Sequence, residues 1–337
     1  MNEFKQGRIA AAFNTAVATF ARVAITSVAL LATSAHAADD YPNRPIHVVL
    51  GFAAGGVIDG FMRQIAPALG QQLGQPIIVD NKPGANGVLA MDAVAKSPAD
   101  GYSVFLGALG NFSLNELFYA KLPYNFDTDF APVTQLNSVS FLVYANPALP
   151  VSSMGELVAY AKAHPGTLNY SSTGNGSTPN LAAEMVNSLA GIKITHVPYK
   201  GSGQSMTDLL GGQVQMTIDA VAIGMPQVKS GKLKVLAATG KSRLASLPDV
   251  PTVAETLPGY EVTNWYGFAV PKATPRDVVT RLQAAVAKVL ASPELRDRMA
   301  ADGMEPVAST SEQFGSFIKS ESAKWRKVVN EAGIKVE

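Results

Sequence analysis

Hydroxyl groups crowd one short stretch of this chain, Ser172-Thr173-Gly174-Asn175-Gly176-Ser177-Thr178, which runs into Pro179. A strand pattern precedes the run and a helix pattern follows it. Side-chain O–H groups would then stand beside the unpaired N–H groups of a helix start, a combination that receives a carboxylate without a formal positive charge. Ser177 or Thr178 also suits a plain N-cap ahead of Pro179, so at least one hydroxyl is expected to serve the helix. A second loop of this kind is Ala53-Ala54-Gly55-Gly56, between the β-branched run 46–50 and a helical stripe of Ile58, Phe61, Met62, Ile65 and Leu69. Glycine there lets an anion approach the backbone; equally, Gly55 and Gly56 serve to make the turn. The spacing is not Gly-x-Gly-x-x-Gly, which argues against a dinucleotide.

Other reactive groups are sparse. Past residue 37 the histidines are His47, His164 and His196, and the chain has no cysteine. No histidine is spaced with another ligand in a metal pattern, so no metal and no cofactor is expected. No Gly-x-Ser-x-Gly elbow appears, and Gly174-Asn175-Gly176-Ser177 lacks the Lys-Ser/Thr of a P-loop. With no nucleophile–base pair legible, the chain is not expected to be an enzyme. His196 reads as packed, Asp59 as a first-turn residue suited to the helix dipole, and Trp265 and Tyr266 as core. Asp219 either meets a ligand or holds a loop.

The elements that must position these groups alternate. Strand patterns at 46–50, 77–79 and 102–106 bracket helices that begin near 57 and 88, with the loop Asn81-Lys82-Pro83-Gly84-Ala85-Asn86-Gly87 between. A second series follows residue 141: a helix at 153–163 capped by Ser152 or Ser153, then strands at 168–171, 194–198, 214–218 and 233–238. A long strand around Trp265 and helices at 275–290, 293–299 and 311–329 close the chain. The last helix should bury Phe314, Phe317, Ile318, Trp325 and Val328. Alternation of this kind predicts an α/β fold with a parallel or mixed sheet. The expected domains are 38–141 plus 241–337 as one lobe and 142–240 as the other, crossed twice by the chain and able to hinge.

Residues 1–37 read as an export signal, with Lys5, Arg8 and Arg22, an apolar run at 23–32, and Ala35-His36-Ala37 as the cleavage site. The protein is therefore expected in a periplasm. Of 27 basic and 26 acidic residues, Lys5, Arg8, Arg22 and Glu3 fall in this leader, which leaves 24 and 25 and a net charge of −1. That balance argues against nucleic acid as a partner.

Read together, eight segments resemble the Bug receptors, the periplasmic substrate-binding proteins of tripartite tricarboxylate transporters. They are Tyr41-Pro42-Asn43-Arg44-Pro45-Ile46, Gly55-Gly56-Val57-Ile58-Asp59, Asp80-Asn81-Lys82-Pro83-Gly84-Ala85, Ala99-Asp100-Gly101-Tyr102, Gly174-Asn175-Gly176-Ser177, His196-Val197-Pro198-Tyr199-Lys200-Gly201, Leu247-Pro248-Asp249-Val250-Pro251-Thr252 and Leu257-Pro258-Gly259-Tyr260-Glu261. The resemblance implies a type II-like, two-lobed Venus flytrap with a ligand cleft between the lobes. It implies a small carboxylate ligand (di- or tricarboxylate, or aromatic acid), transporter membrane subunits as partners, and a monomer. It also assigns ligand contact to Ala54, Gly56, Ala85, Asn86, Ser172, Thr173, Ser177, Tyr199 and Asp219. The chain departs from the family at Ala53-Ala54, where a proline is usual, at Asn86, and at Asn180, where a histidine is common. Phe52 and Tyr199 beside the altered first loop fit an aromatic dicarboxylate such as terephthalate.

Other functions fit parts of the same sequence. An exported sensing module that presents a carboxylate to a signalling partner would use the same fold, and the genes beside it would tell the two apart. An exported hydrolase would require a triad, and none is legible.

Overall fold

Strand β1 (Ile46–Leu50) is almost wholly buried, and helix α1 (Val57–Leu73) packs with Ile58, Phe61, Met62, Ile65 and Leu69 inward, the stripe expected of it. The computed structural model describes residues 41–332, and side chains to residue 330. The expected leader and its cleavage site lie outside the described residues. From α1 the chain continues through β2 (Ile77–Asn81), α2 (Val88–Ala95) and β3 (Ser103–Ala108). Strands β2 and β3 flank β1 in parallel, so the loops after β1 and β2 emerge at the same edge. A π-helical turn (Gly110–Leu114) leads into the short helices α3 (Asn115–Phe118) and α4 (Phe126–Asp129).

Strand β4 (Phe130–Ala145) is the seam of the molecule. Residues 130–140 pair antiparallel with β9 (Thr263–Pro271), which joins β3 on its far side. Residues 141–145 pair antiparallel with β7 (Met216–Ala220), and residues 142–145 with β8 (Lys234–Ala238). One strand thus serves two sheets. Helix α5 (Met154–Ala163) follows it, capped by the Ser153 side chain at Glu156 N–H. Then come β5 (Asn169–Ser172), α6 (Thr178–Ala190), β6 (Thr195–Pro198), α7 (Ser202–Leu210) and, after β7, α8 (Val221–Lys229). Strand β5 lies parallel to both β6 and β7.

Where the chain leaves the second sheet, Thr239 N–H bonds Phe141 O at 2.9 Å, and Phe141 N–H bonds Thr239 Oγ1 at 3.0 Å. The outgoing and returning strands are stitched at that point. Helices α9 (Arg276–Leu290) and α10 (Pro293–Ala301), the short strand β10 (Met304–Pro306) and α11 (Ser311–Ala332) complete the chain. Helix α11 buries Phe314, Ile318, Trp325 and Val329; Phe317 and Val328 are only half-buried, because its inward stripe runs one residue beyond the expected one at that turn. Trp265 is fully buried, and its indole N–H donates to Glu321 Oε2 at 3.4 Å. It is core, as its sequence context implied.

The sheet is mixed because β4 and β9 run against the parallel groups on either side. The reading that started a new set of units at residue 141 missed that the strand begins at Phe130. Pro132 and two register breaks in its first half hide the alternation.

Candidate functional site

The loop after β1 is held by an acid. Asp59 is buried in the first turn of α1 and accepts hydrogen bonds from Gly55 N–H at 2.9 Å, Arg63 Nε at 3.0 Å and Asn81 Nδ2 at 3.0 Å. Burial alone would raise its pKa. The Arg63, Gly55 and Asn81 bonds outweigh burial and hold the carboxyl below its ordinary value. Asp59 therefore fixes the turn. Ala54 and Gly56 stay exposed at its tip, and Gly56 caps α1 with no side chain over the helix start.

The loop after β2 packs against the first. A Cβ on Gly51 would lie 2.4 Å from Gly87 Cα, so only glycine permits that approach. Ala85 and Asn86 are both in left-handed conformations, at φ 46° and 48°. The strain is held by two buried asparagines. Asn111 Nδ2 donates to Asn86 O at 2.7 Å, and Asn115 Nδ2 to the same oxygen at 3.3 Å. Asn86 Nδ2 in turn donates to Asn115 Oδ1 at 2.8 Å. The Asn86 amide nitrogen is thus committed to the scaffold.

The hydroxyl loop lies between β5 and α6. Ser177 accepts from Asn180 N–H at 3.4 Å and donates to Gly174 O at 2.7 Å. It is the N-cap that one of these hydroxyls was expected to be. Thr173 is half-buried, and its hydroxyl has no partner among the described residues. Ser172 is 1% exposed, and its Oγ lies 2.7 Å from His196 Nε2. That oxygen also accepts from Gly174 N–H at 3.1 Å and stands 3.0 Å from Gly174 O.

This contact corrects the expectation that no hydroxyl meets a base. The pair comes together because β5 and β6 are parallel neighbours, with Tyr170 opposite His196 and Ser172 opposite Pro198. The imidazole stacks on Tyr170 with centroids 4.9 Å apart, and its Nδ1 has no partner among the described residues. Burial lowers the His196 pKa, with the charge of Glu184 opposing. Beneath the loop, Asn180 receives Gly176 N–H at 3.0 Å and donates to Tyr170 O–H at 2.7 Å, which donates to Glu184 at 2.5 Å. A neutral imidazole and this chain of bonds hold the loop.

Tyr199 bonds the same loop through its N–H to Ser172 O at 3.1 Å, but its hydroxyl donates to Asp208 at 2.6 Å. That bond, more than burial, pushes the Tyr199 pKa up to about 12. Asp219 is the penultimate residue of β7, 5% exposed. Desolvation pushes its carboxyl up to about 6, against bonds from the Ser202 hydroxyl and from Ala220 N–H at 2.8 Å. Burial first, then the negative charge of Asp219, raise the pKa of Tyr266 on β9. The Tyr266 ring lies 5.9 Å from that of Phe61 on α1.

The nine expected residues therefore form two groups. Ala54, Gly56, Ala85 and Asn86 share one pair of loops; Ser172, Thr173, Ser177 and Tyr199 share another; Asp219 is the penultimate residue of the strand beside β5. Phe118 links the groups: a Cβ on Gly176 would lie 3.1 Å from its ring, and it sits on α3 one turn from Asn115. Phe118, Asn111, Asn115 and Tyr170 were not foreseen, since isolated asparagines and aromatics carry no motif. Among the described residues no cluster of three His, Asp or Glu side chains is placed to hold a metal, and no helix is long and apolar enough to cross a membrane.

Paired loops at strand ends in a two-sheet α/β chain define a two-lobed periplasmic binding protein. The family model described as the tripartite tricarboxylate transporter family receptor matches residues 61–334. The chain belongs to that family, whose members are periplasmic receptors. It is 35% identical over 302 residues to protein BugT of Bordetella pertussis, covering 89% of this chain and 93% of the relative. A solved structure of R. palustris Rpa4515 with adipate superposes with a TM-score of 0.82 at 36% identity, covering 88% of this chain and 99% of that one. MatC from Rhodopseudomonas palustris, with bound malate, gives 0.76 at 32% identity, covering 86% of this chain and 100% of that one.

Proposed function

We propose that this protein captures a small di- or tricarboxylate, or an aromatic acid, and delivers it to the membrane subunits of a tripartite transporter without chemical change. One carboxylate is received by the loop from Ser172 to Ser177, with Thr173 as the donating hydroxyl; the rest of the ligand reaches the loops of Ala54, Gly56, Ala85 and Asn86. The observation that carries this reading is that a loop from each sheet precedes a helix start, so each offers N–H groups and a positive dipole end to an anion. The adipate and malate bound to its relatives give support. Ser172 and Tyr199 act as positioners rather than direct donors, since their hydroxyl groups are engaged.

We place the lobes at residues 38–141 plus 241–337, and at residues 142–240; the change of partner strand along β4 near Phe141 supports that division. The working form is a monomer exported after cleavage behind Ala37. N-terminal sequencing of secreted material should begin at Ala38.

Binding without an arginine clamp is energetically sufficient. Three charge-assisted bonds contribute about 1.5–3 kcal/mol each, against roughly 8 kcal/mol for micromolar affinity. Closure costs are offset by apolar contact. The test is a thermal-shift and calorimetric panel of adipate, malate, citrate and terephthalate with their methyl esters. Acids that raise the melting temperature while their esters do not support the reading. Esters that bind as well as the acids overturn it, as does conversion of any bound acid to a product.

A further inference from the structure

A cavity of about 710 Å³ lies between the Gly110–Leu114 turn, α3, residues 122–127 and the middle of α11. Its volume is that of a small-molecule site. None of its lining residues belongs to the loops assigned to the carboxylate. Phe112, Phe126, Leu122 and Ile318 give it an apolar wall, with the Phe112 and Phe126 rings edge to face at 5.3 Å.

Three cations, Lys319, Arg326 and Lys327, line it against two acids, Glu116 and Asp127. The Tyr124 hydroxyl accepts from Asn115 Nδ2 at 3.0 Å, and its own proton has no acceptor among the described residues. Burial pushes the Tyr124 pKa up to about 12, so the proton stays in place at neutral pH. Lys319 is exposed at the mouth without an acidic partner among the described residues. Of the two lining acids, Glu116 is occupied by Arg326 at 3.1 Å, and Asp127 stands on the exposed short helix α4. An apolar wall beside donors that lack acceptors selects a ligand with an apolar body and an anionic, accepting head.

We propose that this cavity is a second binding site, for an aromatic carboxylate whose ring lies against Phe112 and Phe126 and whose carboxylate takes the Tyr124 hydroxyl and the Lys319 ammonium. The site is not isolated. Asn111 and Asn115, which line it, also hold Asn86 in its left-handed conformation. Occupancy therefore bears on the loop of Ala85 and Asn86, and by linkage a ligand at that loop bears on the cavity.

The probe is 2-naphthoate, titrated into the exported mature chain and followed by its fluorescence and by backbone amide resonances. Saturable shifts are expected at residues 84–87, 111–127 and 318–327, separate from any at residues 53–56 and 172–178. Ala323→Trp, an exposed position on α11, plugs the cavity and should abolish the shifts at residues 111–127 and 318–327 with little change in melting temperature. Tyr124→Phe keeps the ring and removes one bond to the anion, so affinity should fall about tenfold. Lys319→Glu should weaken it about fivefold or more, and the methyl ester should bind about tenfold less tightly than the acid. The proposal is overturned if no saturation is reached at millimolar probe. Shifts confined to residues 53–56 and 172–178, or undiminished binding by both Ala323→Trp and Tyr124→Phe, would also overturn it.

Discussion

Ser172 Oγ and His196 Nε2 meet at 2.7 Å across two parallel strands, with the imidazole stacked on Tyr170. The serine oxygen is thereby surrounded by the ring nitrogen and by both backbone groups of Gly174. A hydroxyl with its bonds so committed shapes a loop.

Replacing His196 by Phe keeps the stack and removes the ring nitrogen from Ser172. Stability should fall by about 1–2 kcal/mol in urea denaturation. The pH dependence carries the sharper signature. Burial holds the His196 pKa below its ordinary value, so between the folded and unfolded values the unfolded chain binds more protons. Its contribution is complete above the unfolded value and is lost as pH falls through the folded one. The parent should therefore lose stability on acidification below about pH 6.5 faster than His196→Phe does. Parallel curves would show that the imidazole is not held neutral by the fold.

Thr173 and Ser177 separate binding from folding. Thr173→Ala removes a hydroxyl without a partner among the described residues, so carboxylate affinity should fall ten- to a hundredfold, about 1.5–3 kcal/mol, with little change in melting temperature. Ser177→Ala also removes a helix cap and should cost about 1 kcal/mol of stability without ligand. Calorimetry with the best acid, beside melting curves of the free proteins, distinguishes the two. Unchanged affinity in Thr173→Ala would remove that residue from the site.

Asp219 gives the opposite pH slope. Its folded pKa, about 6, lies above the unfolded carboxylate value, so the native state holds the extra proton between roughly pH 4 and pH 6. Relative stability is greatest below that window and declines as pH rises through it, by about 2–3 kcal/mol in all. Asp219→Asn keeps an acceptor for Ala220 N–H and has no proton to lose. The variant should gain on the parent as pH is raised from 4 to 7, read from denaturation midpoints. A constant difference across that range would mean that Asp219 is solvated in the native state.

How far the sequence could be read follows from range. Helix α1, the cap at Ser153 and the turn at Asp59 depend on residues three to five apart, and such periodicities survive in a linear text. The hydroxyl loop was legible for the same reason. The Ser172–His196 contact depends on strand neighbours, and Asn86 depends on Asn111 and Asn115, which lie in a π-helical turn and a one-turn helix without periodic signal. Strand β4 was not legible before residue 141 because Pro132 and the register breaks resemble a loop. What fixes the loops of the site is mostly invisible locally, although the loops themselves are conspicuous.

Gly87 and Gly191 provide a matched test of that hidden support. Both have positive φ, 79° and 60°. A Cβ on Gly191 would meet nothing, so Gly191→Ala should cost only the left-handed backbone penalty, about 1 kcal/mol. A Cβ on Gly87 would lie 2.4 Å from Asn111 Nδ2, the donor that grips Asn86 O at 2.7 Å. Gly87→Ala must therefore displace Asn111 or the loop. It should cost about 2–4 kcal/mol in urea denaturation, since the same penalty is joined by displacement of the buried Asn111 side chain and loss of its bond to Asn86 O. Because that bond positions the loop of Ala85 and Asn86, carboxylate affinity should fall as well, whereas Gly191→Ala should leave it unchanged. Equal stability losses in the two variants, with affinity intact in both, would show that the Asn111–Asn86 bond does not organise the site.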